Sequence, residues 1–167
     1  AAGITAVVYD RVRVEPTDTS FHDAIDFANA HDIDGIVAVG GGSAIDTAKA
    51  VSLYTTYPPA HFLDYVNAPI GKALPVPGPL KPLIAVPTTA GTGSEVTVAA
   101  VMSDPDTHQK LVIKDIRVVP RMAALDPSLM TTDAAAFVDH PDVQVIVETL
   151  GGEQPAAALM ARALASG

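Results

Sequence analysis

Short apolar runs alternate along the chain with longer stretches in which apolar residues recur every three or four positions. The short runs have the length and the valine and isoleucine content of buried strands. The stretches between them have the spacing of helices that bury one face. The strands predicted from these runs are residues 4–9, 36–39 and 82–86.

Two helices are predicted between these strands, because polar residues that can cap a helix stand in front of each apolar pattern. Ser20 is followed by Asp23, and Ser43 by Asp46, at the three-residue spacing of a capping box. Each helix would connect one parallel strand to the next. The predicted helices are residues 20–30 and 43–54.

The remaining segments add a hairpin and a final helix–strand–helix unit. Residues 57–82 contain seven prolines and form a long connection with one helical turn near residues 62–66. The hairpin strands are residues 96–102 and 110–113, a short strand follows at 122–125, and the last unit is a helix at 133–138, a strand at 143–150 and a helix from Pro155. Together these elements predict a single α/β domain over residues 1–167, with a mostly parallel sheet and a β-hairpin excursion.

Composition narrows the choice of partners. The chain has a formal net charge of −9, so it repels the phosphates of nucleic acids and the surface of anionic membranes. It has no cysteine, which removes disulfides, thiolate metal sites and a cysteine nucleophile. No apolar run approaches the roughly 20 residues of a membrane-spanning helix. We therefore expect a cytoplasmic protein that binds a small molecule, and a homo-oligomer remains open.

Glycine-bearing loops follow three of the predicted strands, at residues 40–43, 88–95 and 151–152. The carboxyl ends of parallel strands share one edge of a sheet, so these loops should lie together there. Glycine lets main-chain amides approach a pyrophosphate, and a helix N-terminus favours an anion. Two alternatives stay open, because Ser43 and Asp46 can simply cap their helix and residues 88–95 can form a plain turn. The glycine spacing fits neither the usual dinucleotide fingerprint nor a Walker loop.

Two of these loops carry the motifs of a known family. Gly40-Gly41-Gly42-Ser43-Ala44-Ile45-Asp46-Thr47-Ala48-Lys49 and Pro87-Thr88-Thr89-Ala90-Gly91-Thr92-Gly93-Ser94-Glu95 resemble the signature loops of iron-containing (group III) alcohol dehydrogenases, in order and spacing. Leu63-Asp64-Tyr65-Val66 and Pro77-Gly78-Pro79-Leu80-Lys81-Pro82 are similar to the hydroxyacid-oxoacid transhydrogenase branch. The resemblance covers residues 1–130, and it implies a three-layer Rossmann-like fold and an oxidoreductase that uses NAD or NADP.

The resemblance also implies which residues hold the cofactor. The first loop would bind the pyrophosphate, and the second would contact the adenine and the nicotinamide ribose. Lys110 would reach the same ribose, although a solvated hairpin lysine is an equal alternative. The implied cofactor-binding residues are Gly40, Gly41, Gly42, Ser43, Asp46, Thr88, Thr89, Gly91, Thr92, Ser94 and Lys110.

The chain departs from the family pattern at both ends of the match. Family members begin with an additional strand that recognises the adenosine ribose, and this chain starts after it, so we expect weak dinucleotide binding. Members continue into a helical domain whose Asp and three His residues hold iron or zinc, and no such set follows here. We therefore expect no bound metal and no catalytic residue, and whether the chain alone is an enzyme stays open.

Residues 131–167 resemble a different family. Asp133-Ala134-Ala135-Ala136-Phe137-Val138 and Pro141-Asp142-Val143-Gln144-Val145-Ile146-Val147-Glu148 are similar to part of the nucleotide-binding domain of homoserine dehydrogenase. These two resemblances predict a chimera joined near Met130, natural or engineered. Its function would be that of a dinucleotide-binding fragment of an alcohol or hydroxyacid oxidoreductase, inactive alone. The alternative is a non-catalytic α/β scaffold with residual glycine loops.

Overall fold

The computed structural model describes residues 4–129 of the chain. By its internal contacts the chain divides into two compact units, Ala1–Asp126 and Pro127–Gly167. The described part of the second unit is the short 3-10 helix Pro127–Leu129. The helices and the strand predicted beyond residue 130 lie outside the described residues, so the single domain over residues 1–167 stays a prediction.

The described residues contain two α-helices and five strands. In chain order they are α1 (Asp18–Asn29), β1 (Ile36–Gly40), α2 (Gly42–Thr56), β2 (Leu83–Pro87), β3 (Ala99–Ser103), β4 (Lys110–Lys114) and β5 (Met122–Ala123). Strands β1, β2 and β5 form a parallel sheet in that spatial order, and β3 pairs with β4 in an antiparallel hairpin. The predicted α/β class, the mostly parallel sheet and the hairpin excursion are confirmed.

The other predicted elements of this region are found with small shifts. The helical turn in the proline-rich connection is the 3-10 helix Phe62–Tyr65. The strand bounds differ by one to three residues from the predicted ones, which is the usual precision of a hydrophobic pattern at element ends. Among the described residues, no helix combines the length and the apolar character needed to cross a membrane.

Helix α2 covers one face of the parallel sheet. Ala38 of β1 and Ala85 of β2 pack with Ile45 of α2 in one buried apolar cluster. On the opposite face of β1, Val37 and Val39 are 62% and 59% exposed. Alternation along the strand places these two sets on opposite faces. The described helices therefore account for one helical layer, and the third layer stays a prediction.

A larger apolar cluster joins α1, α2 and the hairpin. Phe21 of α1, Leu53 of α2 and Met102 of β3 are 0%, 0% and 1% exposed and belong to this cluster. Full burial of each such side chain contributes roughly 1.5–3 kcal/mol to folding. The cluster fixes the hairpin against α2, the helix that begins with the glycine motif.

Helix α1 begins earlier than predicted, because Thr17 rather than Ser20 is its N-cap. The Ser20 main-chain N–H donates to Thr17 Oγ1 at 3.3 Å, and the Thr17 N–H donates to Ser20 Oγ at 2.8 Å. Ser20 is thus the second member of a capping box that lies three residues upstream of the predicted one. The predicted partner, Asp23, instead accepts hydrogen bonds from Tyr9 and Arg11.

The strand predicted at residues 4–9 is wrong, since this segment has irregular backbone in the structure. Its β-branched residues, which include the adjacent Val7 and Val8, are typical of a strand, but its end is held by α1 instead of by the sheet. The Tyr9 hydroxyl donates to Asp23 at 2.7 Å, and the Tyr9 and Phe27 rings lie 5.4 Å apart. Side-chain contacts with a helix therefore replace the main-chain pairing that the pattern predicted.

Candidate functional site

The two candidate loops leave neighbouring parallel strands at the same edge of the sheet. β1 and β2 pair in register from Ile36 with Leu83 to Gly40 with Pro87. Thr88, the first residue of the second loop, donates its main-chain N–H to the Gly40 carbonyl at 3.0 Å. The structure therefore brings the glycine turn and the threonine-rich loop together at the carboxyl edge, where open α/β sheets bind ligands.

The glycine turn begins α2 directly after β1. Gly41 is the N-cap, and the described structure shows no side-chain hydrogen bond capping this helix. The predicted capping box is wrong, because Ser43 already lies inside the first turn, where its carbonyl accepts from Thr47 Oγ1 at 2.7 Å. The first N–H groups of the helix keep their capacity to donate to an anion, and the helix dipole favours negative charge there.

Gly40 makes this sharp turn possible. Its φ of +151° lies in a region that side chains other than glycine rarely adopt. A Cβ on Gly40 would also lie only 2.7 Å from the Ala44 Cβ, closer than carbon atoms pack. The glycine therefore lets the chain pass from strand to helix within two residues.

The second loop packs directly against the glycine turn. A Cβ on Gly41 would lie 3.0 Å from Thr89 Oγ1, and one on Gly42 would lie 3.1 Å from Ser94 Oγ. Thr89 and Thr92 are exposed, whereas Ser94 is buried. The seam between the loops is thus lined by glycine main chain and by hydroxyls. These groups can donate to phosphate oxygens and hydrogen-bond ribose hydroxyls.

Asp46 points into the protein beneath this seam. It is 8% exposed, its Oδ2 accepts the Val101 N–H at 3.2 Å, and its Oδ1 lies 3.7 Å from Lys49 Nζ. Burial raises the pKa of Asp46, while the Lys49 charge and hydrogen bonds that include the Ser94 hydroxyl oppose the rise. Asp46 therefore supports the site from below, and its contact with a cofactor stays a prediction.

Lys49 was not among the predicted site residues, yet it is the most completely buried charge beneath the site. It is 0% exposed, and its ammonium donates to Thr97 O at 2.9 Å, Thr97 Oγ1 at 3.1 Å and Ala99 O at 2.7 Å. Burial lowers the pKa of Lys49, and the Asp46 carboxylate opposes that change. Asp46 and Lys49 lie three residues apart in the sequence, and this spacing places them on one face of a helix. This spacing was the sequence feature from which a paired buried lysine could have been predicted.

Lys110 lies at the first residue of β4, on the hairpin rather than in either loop. Its ammonium donates to Ser103 Oγ at 2.8 Å and lies 3.4 Å from Glu15 Oε1. These contacts fit the alternative of a hairpin lysine, and its contact with a ribose stays a prediction. The other predicted cofactor-binding residues lie in or directly beneath the two loops.

A cavity of about 190 Å³ borders the first loop. It lies between α1, α2 and the outer edge of β1, and its lining combines polar groups with side chains such as Tyr9, Phe27, Val39 and Ala44. Ala44 belongs to the first turn of α2, just beyond the glycine turn. The cavity therefore lies next to the start of α2.

The described part of the chain does not bring together a set of metal ligands. Residues 4–129 hold no group of three or more His, Asp or Glu side chains close enough to share an ion. His22 follows Asp18 at a spacing that metal ligands use, but its Nδ1 lies 2.9 Å from the Asp18 carbonyl oxygen. No catalytic step through iron or zinc can therefore be assigned to these residues.

Comparison with known proteins identifies relatives of this arrangement. The family model described as iron-containing alcohol dehydrogenase matches residues 1–127. The mitochondrial hydroxyacid-oxoacid transhydrogenase of Bos taurus is 56% identical over 125 residues, which are 75% of this chain and 27% of that protein. Its Xenopus laevis counterpart is 54% identical over 148 residues, which are 89% of this chain and 32% of that protein. The chain thus spans about a third or less of these relatives' length.

Solved structures resemble the chain in fold as well. A 1,3-propanediol oxidoreductase is 35% identical with a TM-score of 0.69, covering 81% of this chain and 34% of that one. The sulfoacetaldehyde reductase of Bifidobacterium kashiwanohense, solved in complex with NAD+, is 28% identical with a TM-score of 0.70, covering 83% of this chain and 36% of that one. These neighbours confirm the Rossmann-like α/β class.

Two of the sequence-based predictions change with these relatives. The predicted cytoplasmic location is contradicted, because the transhydrogenases carry mitochondrial names. The comparisons do not support the predicted homoserine dehydrogenase origin of residues 131–167 or the predicted chimera. The alignment with the Xenopus laevis protein covers 89% of the chain, so it must continue past Met130.

Proposed function

The chain belongs to the iron-containing alcohol dehydrogenase family, and from this membership we propose that it binds a nicotinamide dinucleotide across its two glycine-bearing loops. The dinucleotide is NAD or NADP, and its pyrophosphate would lie on the main-chain amides of Gly41, Gly42 and Ser43. Thr89 and Thr92 would hydrogen-bond the sugars from the facing loop. When bound, the cofactor accepts or delivers a hydride.

The contact between the two loops carries this proposal. A Cβ on Gly41 or Gly42 would press on a hydroxyl of the facing loop, so the space beside these glycines is bounded by main chain and hydroxyls. An uncapped helix N-terminus faces the same space, and its first turn contains no acidic residue. Amides, hydroxyls and a favourable helix dipole are what a pyrophosphate requires.

The names of the relatives support a proposal about the substrate class. We propose that the whole protein oxidises or reduces an alcohol or a hydroxyacid, and that it acts in mitochondria like the named transhydrogenases. The 167-residue chain alone would bind dinucleotide without turning over substrate. The described residues offer no ligand set for a Lewis acid that would stabilise an alkoxide.

Titration of the purified chain with NADH, NAD and NADP tests the binding proposal. We expect a dissociation constant weaker than about 0.1 mM, which corresponds to less than roughly 5.5 kcal/mol of binding free energy. ADP should compete because it carries the pyrophosphate, whereas adenosine should compete poorly. No binding at 10 mM of any dinucleotide would contradict the proposal and favour a scaffold with residual loops.

A further inference from the structure

A buried lysine joins the two halves of the candidate site. Lys49 lies two helical turns after Gly42 on α2, and its side chain is fully enclosed. An ammonium is rarely buried without a carboxylate in direct contact, because removing it from water is costly. Here its three N–H bonds are taken by Thr97 O, Thr97 Oγ1 and Ala99 O, with Asp46 at 3.7 Å.

These acceptors lie on the segment that leads out of the second loop. The loop begins after β2, where the Thr88 N–H is bonded to the Gly40 carbonyl. The segment that follows the loop leads into β3 at Ala99, and Lys49 donates its hydrogen bonds to Thr97 and Ala99 of this segment. The loop is therefore fastened at its first residue to the glycine turn and at its far end to the helix that the turn begins.

Asp46, one helical turn before Lys49, adds a further contact between α2 and the segment that leads into β3. Its Oδ2 accepts the Val101 N–H, so α2 contributes both a donor and an acceptor to the main chain of β3 and its approach. Loss of the lysine would leave the Thr97 and Ala99 carbonyls without their charged donor. It would also leave Asp46 as a buried carboxylate without a nearby cation.

We propose that Lys49 is a positioning residue for the dinucleotide site, holding residues 88–97 against the glycine turn by fixing Thr97 and Ala99 to α2. This rests on the proposed function, since the loop it would position is the proposed cofactor loop. Lys49 itself does not touch the cofactor in this account. Lys49 would affect dinucleotide binding only by holding the second loop in position.

Hydrogen exchange in the 167-residue chain tests the positioning step without any ligand. In Lys49→Met, we expect the amides of residues 93–101 to exchange at least tenfold faster, while those of α1 keep their rates. Ile25→Ala, a buried variant of α1 that is not among the ammonium contacts, is the control for general loss of packing. Unchanged exchange at residues 93–101, or an increase of equal size in the control, would overturn the proposal.

Chemical rescue separates the ammonium from the volume of the side chain. The chain has no cysteine, so Lys49→Cys provides a single thiol that can be alkylated in denaturant before refolding. Aminoethylation rebuilds a lysine-like ammonium, whereas carbamidomethylation adds a neutral group. We expect slow exchange at residues 93–101 to return with the first reagent only. Equal rescue by both reagents would refute a role for the charge.

Binding of NADH then distinguishes this inference from the proposed function. If the unmodified chain binds NADH, Lys49→Met should weaken it at least tenfold. If the unmodified chain fails to bind, the proposed function fails, while the exchange result still decides the role of Lys49. Should Lys49→Met not fold, Thr97→Val removes one acceptor at constant shape. It should raise local exchange about two- to fivefold, and no change would count against the proposal.

Discussion

A valine at position 41 would test the seam between the two loops most sharply. The Cβ of a residue there lies 3.0 Å from Thr89 Oγ1 and 3.5 Å from Thr89 Cγ2. Thr89 is exposed, so its side chain can rotate away. We therefore expect Gly41→Val to reduce folding stability by only about 1–2 kcal/mol, from mild overpacking and a poorer N-cap.

The same substitution should damage dinucleotide binding far more than folding. The valine methyl groups would occupy the space through which a phosphate oxygen reaches the main-chain N–H groups of Gly41 and Gly42. Each hydrogen bond to a charged group is worth roughly 1.5–3 kcal/mol. Losing one corresponds to a roughly 10- to 150-fold weaker dissociation constant.

Fluorescence titration with NADH measures this change cleanly, because the chain contains no tryptophan. Gly35→Ala is the matched control at the other end of β1, where a Cβ would meet Pro82 atoms at an ordinary 3.6 Å. We expect the control to bind NADH like the unchanged chain. If Gly41→Val also binds within twofold of the unchanged chain, the proposed position of the pyrophosphate is refuted.

Three further predictions concern stability and metal content. Gly71→Ala should lower the free energy of unfolding by roughly 3 kcal/mol or prevent folding, since its Cβ would overlap the carbonyl oxygens of Val66 and Leu63; an unchanged chemical denaturation midpoint would contradict this. The Lys72 ammonium, 2.8 Å from Asp64, lowers the pKa of that carboxyl below 3.8. The contribution of the Asp64–Lys72 pair to folding stability is therefore present above pH 3.8. It is lost as the pH falls through the lowered pKa of Asp64 in the folded protein. Melting curves should show Asp64→Asn less stable than the unchanged chain at pH 6 and converging with it as the pH falls through the lowered native pKa, and a constant difference would contradict the assignment. Elemental analysis should find no stoichiometric iron or zinc in the purified chain, and one tightly held ion per chain would overturn that expectation.

Local patterns predicted most strands and the order of elements, but they were less reliable where two polar residues compete for one role. Thr17 and Ser20 can each begin a capping box, and the residue with extended backbone, Thr17, is the N-cap. For α2 the spacing of Ser43 and Asp46 predicted a capping box, yet the helix starts at Gly42 without a side-chain cap. The periodicity of apolar residues predicts which face of a helix is buried, but it does not fix the residue at which the helix begins.

The candidate site was predictable in outline, because parallel strands must place their following loops at one edge. Its supporting contacts were not predictable, because they join residues far apart in sequence. Nothing near Lys49 in the sequence indicates that its ammonium meets the carbonyls of Thr97 and Ala99. The Tyr9 contact with α1, which replaces the predicted first strand, is likewise a tertiary effect that the apolar run of one segment cannot predict.

Mapping of amide chemical shifts during a titration with NADH would locate the dinucleotide on the chain. In the isotopically labelled 167-residue chain, we expect the largest shifts at Gly41, Gly42, Ser43 and residues 88–94. The α1 amides should move little. Shifts confined to the hairpin or to α1, or no shifts with 10 mM NADH, would contradict a dinucleotide site across the two loops.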